Sequence, residues 1–419
     1  MKLQLARGTR DINPAEKQAR EQLTTQLKET FETYGFAPLE TPIIERMDIL
    51  GAKYAGGDTS DVMKEVFRLQ DQGGRDLGLR FDLTVPLARY VGMNPQLKMP
   101  FKRYQIGKVY RDGPIKQGRY REFWQYDVDI VGCKGMSADA EVINVVLDVF
   151  DKLGLDVEVR VNNRKLLAGI VEKAGISPEL AETVIISLDK LDKQGKEGVV
   201  AELMDKGFDK DESERVLDNL DKSLDEYETM LGGSEGVTEL KELFTKLPDD
   251  KRLRFLPSLA RGLAYYTGPV FEVFSKELSV SLAGGGRYDD MIGNYLGGKQ
   301  DIPAVGLAFG FEPILEVMKK KDAVASKPSP TQVYVAPIGG VDASRVVREL
   351  RQAGVKTDTD LMGRGLSKNI KYADAYGIPY VLFVGEDELK KGKYKLKNLE
   401  SGEETTGTVE DVVTKTKGR

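Results

Sequence analysis

The chain has 419 residues, 40% of them hydrophobic and 31% charged, with a formal net charge of −5. That length exceeds one ordinary core, so two or three domains are expected. No apolar run is long enough to span a bilayer, and the N-terminus MKLQLARGTRD lacks the apolar core of a signal peptide, which makes the cytoplasm the expected compartment, with no membrane partner. One cysteine, Cys133, excludes internal disulfides and cysteine-rich zinc sites, and the absence of histidine removes the usual general base and any Ser/His or Cys/His pair.

In chain order, Asn13-Pro14-Ala15-Glu16 reads as a helix start, with Asn as cap, Pro at the first helical position and Glu three residues after the cap. Leu23, Leu27 and Phe31 line one face of that helix, and Gly35 ends it. The segment PLETPIIERMDILG turns at Pro42 into an apolar run. VFRLQ reads as a strand, DQGGRD as a turn, and in LGLRFDLTVPLARYV the residues Asp82 and Thr84 sit where a strand gives way to a helix near Pro86. By itself such a polar pair is as readily a helix cap as a binding element.

The stretch RDGPIKQGRYREFWQYDVDIVG, from Arg111 to Gly132, reads as the tip and return strand of an antiparallel hairpin. Basic residues cluster at the tip, and Gln125, Asp127 and Asp129 alternate with apolar positions and so share one face. Ser137 is placed to cap a helix carrying Val142, Val145, Val146, Val149, Phe150 and Leu153, ended by Gly154, and Val157, Val159 and Val161 alternate as a strand. Strands and helices mix without a regular βαβ rhythm, which favours a largely antiparallel sheet flanked by helices.

Residues 165–250 read as an inserted helical module with 11 basic and 22 acidic residues. Strand character returns with RFLPSLARGLAYYTGPVFEVFSKE, followed by SVSLAGGGRYDDMIGNYLGG and DIPAVGLAFGFEPILEVMKKK. A polar linker, 322–330, leads into βαβ-style alternation over 331–419, a small α/β domain with 15 basic and 13 acidic residues. The fold class read from these patterns is α+β. A body of 1–164 with 251–321 is built on an antiparallel sheet with flanking helices, a helical insertion interrupts it, and a small C-terminal α/β domain follows.

Three arginine-bearing polar stretches stand out: Arg111 with Arg119 and Arg121, Arg261 before Tyr265-Tyr266, and Arg287 after three glycines. The guanidinium fork suits phosphate oxygens, and glycine lets backbone approach a ligand. No GxxxxGK[ST] loop occurs and no GxGxxG is convincingly placed, which leaves a nucleotide site built from arginines on an antiparallel sheet.

These residues resemble the histidyl-tRNA synthetases, a class II aminoacyl-tRNA synthetase family. TPIIERMDIL is similar to the first class motif, RYQIGKVYRDGPIKQGRYREFWQYDVDIVG to the second and PAVGLAFGFEPIL to the third. LARGLAYYTGPVFEV and AGGGRYD resemble the two histidyl signature peptides, and the tail resembles the anticodon-binding domain. The resemblance implies ATP as substrate, with Mg²⁺ on its phosphates, and histidine tRNA, L-histidine and a second copy in a homodimer as partners. It implies catalytic roles for Arg261 and Arg111, with Arg111 on the α-phosphate. Asp82, Thr84 and Gln125 would hold the amino acid's ammonium and neighbouring polar groups, while Asp129, Tyr265 and Tyr266 would read the imidazole. Arg111 and Arg261 would also touch the histidine. Arg119, Phe123 and Arg287 would join Arg111 at ATP, and the Gly284, Gly285, Gly286 to Tyr288 loop would close over the pocket. In this reading 1–164 and 251–321 form the catalytic domain and 331–419 binds the anticodon, and the catalytic body and tail, rather than the acidic module, grip the tRNA.

Two positions depart from the family's pattern. Pro313 follows Glu312 where an arginine is usual, and Ala264 stands where an Asp precedes the tyrosine pair. A second reading is therefore carried beside the first, a synthetase-like regulatory protein that senses histidine or uncharged tRNA without aminoacylation.

Overall fold

The computed structural model describes residues 2–52, 61–115, 120–262, 265–277, 280–298, 300–321 and 328–417. Arg119 and Ala264 lie outside them. By contacts the chain forms two compact units, one of residues 1–10 with 23–323 and the other of 11–22 with 324–419.

The first unit is built on strands β1 (Ala37–Pro38), β2 (Ile44–Arg46), β3 (Arg68–Gln70), β4 (Asp76–Leu79), β5 (Phe101–Tyr110), β6 (Glu122–Val131), β7 (Val157–Asn163), β8 (Leu253–Phe255), β9 (Pro269–Ser275), β10 (Ser281–Arg287) and β11 (Ala304–Gly310). Eight of them make one sheet in the order β1-β5-β6-β11-β10-β9-β7-β8, and β2-β4-β3 make a small one. The six central strands pair antiparallel, and only the edge strands β1 and β8 run parallel to their neighbours. β5 and β6 are the expected hairpin, in register from Phe101 opposite Val131 to Tyr110 opposite Glu122.

One face of this sheet is greasy and covered by helices. The Phe309 ring on β11 lies tilted, 5.5 Å from Phe31 of the helix Pro14–Thr33 and 6.1 Å from Phe150 of the helix Ser137–Lys152. Tyr126 on β6 lies nearly parallel to Phe311 at 4.8 Å. The Asn13 side chain accepts the Glu16 N–H at 2.9 Å, so the first helix opens as its sequence dictates. Ser137 differs from expectation. It is the first helical residue, behind Met136, and no side chain caps that end.

Between β7 and β8 runs a series of helices from Arg164–Lys173 to Glu235–Lys246, packed within the first unit. The second unit carries a five-stranded sheet of β12 (Val333–Pro337), β13 (Thr357–Thr359), β14 (Tyr380–Val384), β15 (Tyr394–Asn398) and β16 (Glu404–Gly407), in the order β13-β12-β14-β15-β16. Its β13, β12 and β14 are parallel and β15 and β16 antiparallel. The α/β rhythm expected of the tail is thus real for its first half and gives way to a meander. Among the described residues, no helix is long and apolar enough to cross a membrane.

Candidate active site

The opposite face of the large sheet is polar, because strand periodicity puts Gln125, Asp127 and Asp129 of β6 on it together. Their partners on β11 are Gly310, Ala308 and Gly306, and β10 places Gly284 beside Ala308 and Gly286 beside Gly306. A row of one amide and two carboxylates beside a floor of glycine and alanine leaves a hollow where side chains would otherwise stand. The hollow is a cavity of about 1090 Å³, joined to a second of about 590 Å³ through the shared walls Arg111, Gln125, Arg261, Glu272, Ser281 and Ala308.

The larger lobe brings together Asp82, Thr84, Arg111, Gln125, Asp129, Arg261, Tyr265, Tyr266, Gly284 and Tyr288, residues spread over two hundred positions of sequence. Asp82 also serves the local structure, since its Oδ1 accepts the Val85 N–H at 3.0 Å at the start of the helix Thr84–Met93. Arg103 on β5 pairs with Asp129 at 2.7 Å, and the Tyr288 hydroxyl donates to the other Asp129 oxygen. Burial pushes the Asp127 carboxyl well above the usual carboxylate range against the pull of Arg103, and the neighbouring Asp129 and Asp82 charges push the same way. Asp129 is raised too, again by burial first and against Arg103. Gln125 Oε1 and Asp127 Oδ1 are buried with no hydrogen-bond partner among the described residues. Unmet acceptors in a pocket with more carboxylates than cations suit a ligand that donates hydrogen bonds and carries positive charge.

The smaller lobe has the aromatic residues Tyr120 and Phe123 among its walls, together with Arg111, Arg261, Glu312 and Pro313. The Arg111 guanidinium sits 5.2 Å from the centre of the Phe123 ring, and Arg111 Nε donates to the Phe81 carbonyl at 3.2 Å. Flat apolar walls beside two guanidinium groups fit a planar base with a polyanionic tail.

A histidyl-tRNA synthetase family model matches residues 8–314, and an anticodon-binding domain model matches residues 332–419. The chain is 40% identical over 418 residues to histidine–tRNA ligase 1 of Bacillus cereus, covering 96% of this chain and 97% of the relative.

The chain belongs to the histidyl-tRNA synthetase family.

The crystal structure of histidyl-tRNA synthetase from Nostoc sp. PCC 7120 superposes with a TM-score of 0.85 at 30% identity, covering all of both chains. The fold is shared as well, at 22% identity and a TM-score of 0.73, with a structure described as an ATP phosphoribosyltransferase regulatory subunit/histidyl-tRNA synthetase from Bacillus halodurans, covering 90% of this chain and 97% of that one.

Two expectations for the synthetase are corrected by its geometry. Arg287 lines neither lobe. It is buried, paired with Asp139 and, at 3.1 Å, with Asp289, and it donates to the Cys133 and Gly135 carbonyls at 2.9 and 3.3 Å. These partners use its donors for structure. The Gly284–Tyr288 stretch is no closing loop either. Gly284, Gly285 and Gly286 belong to β10, paired on both sides, and Gly284 and Tyr288 line the larger lobe while Gly285 and Gly286 line neither.

Sequence reasoning missed Asp127, Glu272, Gly306 and Ala308, and also Arg160, Asp189, Asp192 and Lys193, all of which line the larger lobe of the synthetase. The alternation that singled out Gln125 and Asp129 already contained Asp127. Glu272 pairs with Arg261 at 3.1 Å, a partnership between strand and loop with no signature in spacing. Beside Pro313, Arg10 donates to Glu312 Oε2 at 3.1 Å, with its guanidinium 4.8 Å from the Tyr120 ring.

Proposed function

We propose that this synthetase attaches L-histidine to histidine tRNA in two steps. The histidine carboxylate attacks the α-phosphorus of ATP, the bond to the bridging oxygen breaks, and pyrophosphate leaves with that electron pair, giving histidyl-adenylate. A hydroxyl of the 3′-terminal ribose of tRNA then attacks the acyl carbon, and AMP leaves.

The observation that carries the reading is the two-lobed cavity, in which acceptors without a partner among the described residues adjoin the second lobe through Arg111 and Arg261. In it, Asp82, Thr84 and Gln125 take the ammonium, and Asp129 with Tyr265 and Tyr266 reads the imidazole. Phe123 stacks on adenine, Arg111 meets the α-phosphate, and Arg261 bridges carboxylate and phosphate. The first step asks for alignment and neutralisation of charge building on phosphate oxygens, which two guanidinium groups supply without a protein base, so a chain with no histidine can run it. A site that satisfies both imidazole nitrogens rejects isosteres that cannot bond there.

Among the described residues no three acidic or cysteine side chains gather into a metal cage. Mg²⁺, when bound with ATP, would be held mainly by phosphate oxygens and would supply charge neutralisation there, with Glu272 the carboxylate that lines both lobes. The catalytic body is 1–164 with 251–321, the helical module 165–250 interrupts it, and the tail from 331 reads the anticodon. The working form is a cytoplasmic homodimer.

Pro313 is the observation that favours the regulatory alternative, a sensor of histidine or uncharged tRNA, since it removes one cation from the nucleotide lobe. Arg111 and Arg261, both on the shared wall, favour the enzyme. Incubating the protein with ATP, labelled histidine and histidine tRNA decides between them. Charged tRNA is expected, and histidine that binds without ever reaching tRNA would establish the sensor.

A further inference from the structure

At about 1090 Å³ the larger lobe exceeds the roughly 300–1,000 Å³ of a pocket for one small molecule, although the nucleotide of the proposed reaction has a lobe of its own. The spare room lies at the end farthest from β6. Strand pairing runs one row of side chains straight across the polar face: Asp127 on β6 is opposite Ala308 on β11, Ala308 opposite Gly284 on β10, Gly284 opposite Glu272 on β9, and Glu272 opposite Arg160 on β7. Residues directly opposite share a face, so Arg160 stands on the polar one. With strands roughly 4.8 Å apart, it lies about 10 Å along the sheet from Gly284.

Along β9, Phe271 and Val273 are fully buried, which turns Glu272 and Phe274 to the polar face. The Arg160 guanidinium lies over the Phe274 ring, 4.1 Å from its centre. It is held there by Glu158 of its own strand at 2.5 Å and by Asp192 at 3.6 Å, on the first turn of the helix Leu191–Asp205. Arg160 and Phe274 line the lobe, as do Asp189, Asp192 and Lys193. Two cations against three carboxylates, Glu158 included, leave no surplus of positive charge to draw a polyphosphate. A flat platform beside carboxylates, which only accept hydrogen bonds, suits a nucleoside instead, with a base to stack and ribose hydroxyls to donate. The 3′-terminal nucleoside of a strand is the one that has both hydroxyls free and a single phosphate.

We propose that this outer end of the larger lobe seats the 3′-terminal nucleoside of the tRNA, its base stacked on the Arg160–Phe274 pair and its ribose beside Asp189 and Asp192. The seat rests on the function proposed above, in which tRNA accepts the histidyl group. It serves the second step alone, because the first step involves no tRNA.

Phe274→Ala is compared with Phe274→Tyr in two assays. Histidine-dependent ATP–pyrophosphate exchange needs no tRNA and is expected at the parent's rate in both variants, which also reports an intact fold. Charging of histidine tRNA is expected to fall about tenfold in kcat/KM for tRNA in Phe274→Ala, where stacking on the ring is lost, and to recover in Phe274→Tyr, which keeps the ring. Binding of intact histidine tRNA against the same tRNA lacking its 3′-terminal nucleoside reads the seat without catalysis. The parent should prefer intact tRNA about tenfold, and Phe274→Ala should bind both alike. Should Phe274→Ala fail to fold, Phe274→Leu keeps apolar volume without a ring and poses the same question. Exchange that falls in step with charging, equal charging defects in Ala and Tyr, wild-type charging in Ala, or an undiminished preference for intact tRNA in Ala would each overturn the seat. Absence of both exchange and charging in the parent would overturn the functional reading, and the comparison of intact with shortened tRNA would still decide the seat.

Discussion

The most constrained residues are three buried side chains on adjacent strands, Arg103, Asp127 and Asp129, of which Arg103 is fully buried and carries the one nearby cation on that stretch of β5 and β6. Removing a buried ion-pair partner strands the other charge, at a cost of about 3–5 kcal/mol. Arg103→Met leaves two carboxylates facing each other and is expected to lose about that much stability in urea unfolding. Asp129→Asn keeps the volume and loses the charge that Arg103 and Tyr288 answer. It is expected to fold and to lower kcat/KM for histidine by a hundredfold or more, as sites built on a buried polar contact do when that contact fails. Undiminished histidine activation in Asp129→Asn would remove this residue from the imidazole site. Arg10→Met should raise KM for ATP several-fold and leave KM for histidine alone, with Pro313→Arg offsetting the loss, because Arg10 is the cation that reaches Glu312 beside the aromatic lobe.

At the scale of elements, β10 shows how a strand makes room for chemistry. A methyl at Gly284 would meet only the far end of the Arg261 side chain, at 2.2 Å from Nη1, whereas at Gly306 it would stand 1.9 Å from Asp129 Oδ1 and 3.0 Å from the Val128 carbonyl. Gly284→Ala is therefore expected to keep stability within about 1 kcal/mol and lose exchange activity by displacing the arginine. Gly306→Ala should lose histidine binding and stability together. In the helical segment, burial of Glu202 is outweighed by hydrogen bonds from Lys190, Lys206 and Ser187, which draw its carboxyl down to about 2. A depressed carboxylate stabilises the fold above its unfolded value near 4.5, and that contribution is lost as pH falls from there toward 2. Discounted for screening at a partly exposed site, it is about 1 kcal/mol. Melts at pH 6 and pH 3 should show Glu202→Gln losing less stability on acidification than the parent.

Sequence made β6 legible because a period of two with polar residues on one face is a direct record of burial. It made the Asn13 cap legible for the same local reason. β10 misled because a triple glycine satisfies the requirements of a loop as well as those of a strand that must leave a floor bare, and only the partners on β9 and β11 distinguish them. Arg287 misled because an arginine beside glycines looks alike whether its fork meets a phosphate or Asp139, which lies 148 residues away.

At the scale of the molecule, Ile43, Ile44 and Leu69 remain exposed on and beside the small β2-β4-β3 sheet. Apolar groups left on a sheet next to the segment resembling the first class motif favour a two-fold dimer through that region. Sedimentation equilibrium should report a dimer, and Ile44→Glu should shift it toward monomer; a monomer at micromolar concentration in the parent would contradict the dimer. The most direct measurement of all is ATP–pyrophosphate exchange with each amino acid supplied in turn. Exchange with histidine alone is the result expected from a pocket whose unmet acceptors adjoin Arg111 and Arg261. Histidine binding with no exchange, or exchange driven equally by another amino acid, would contradict it.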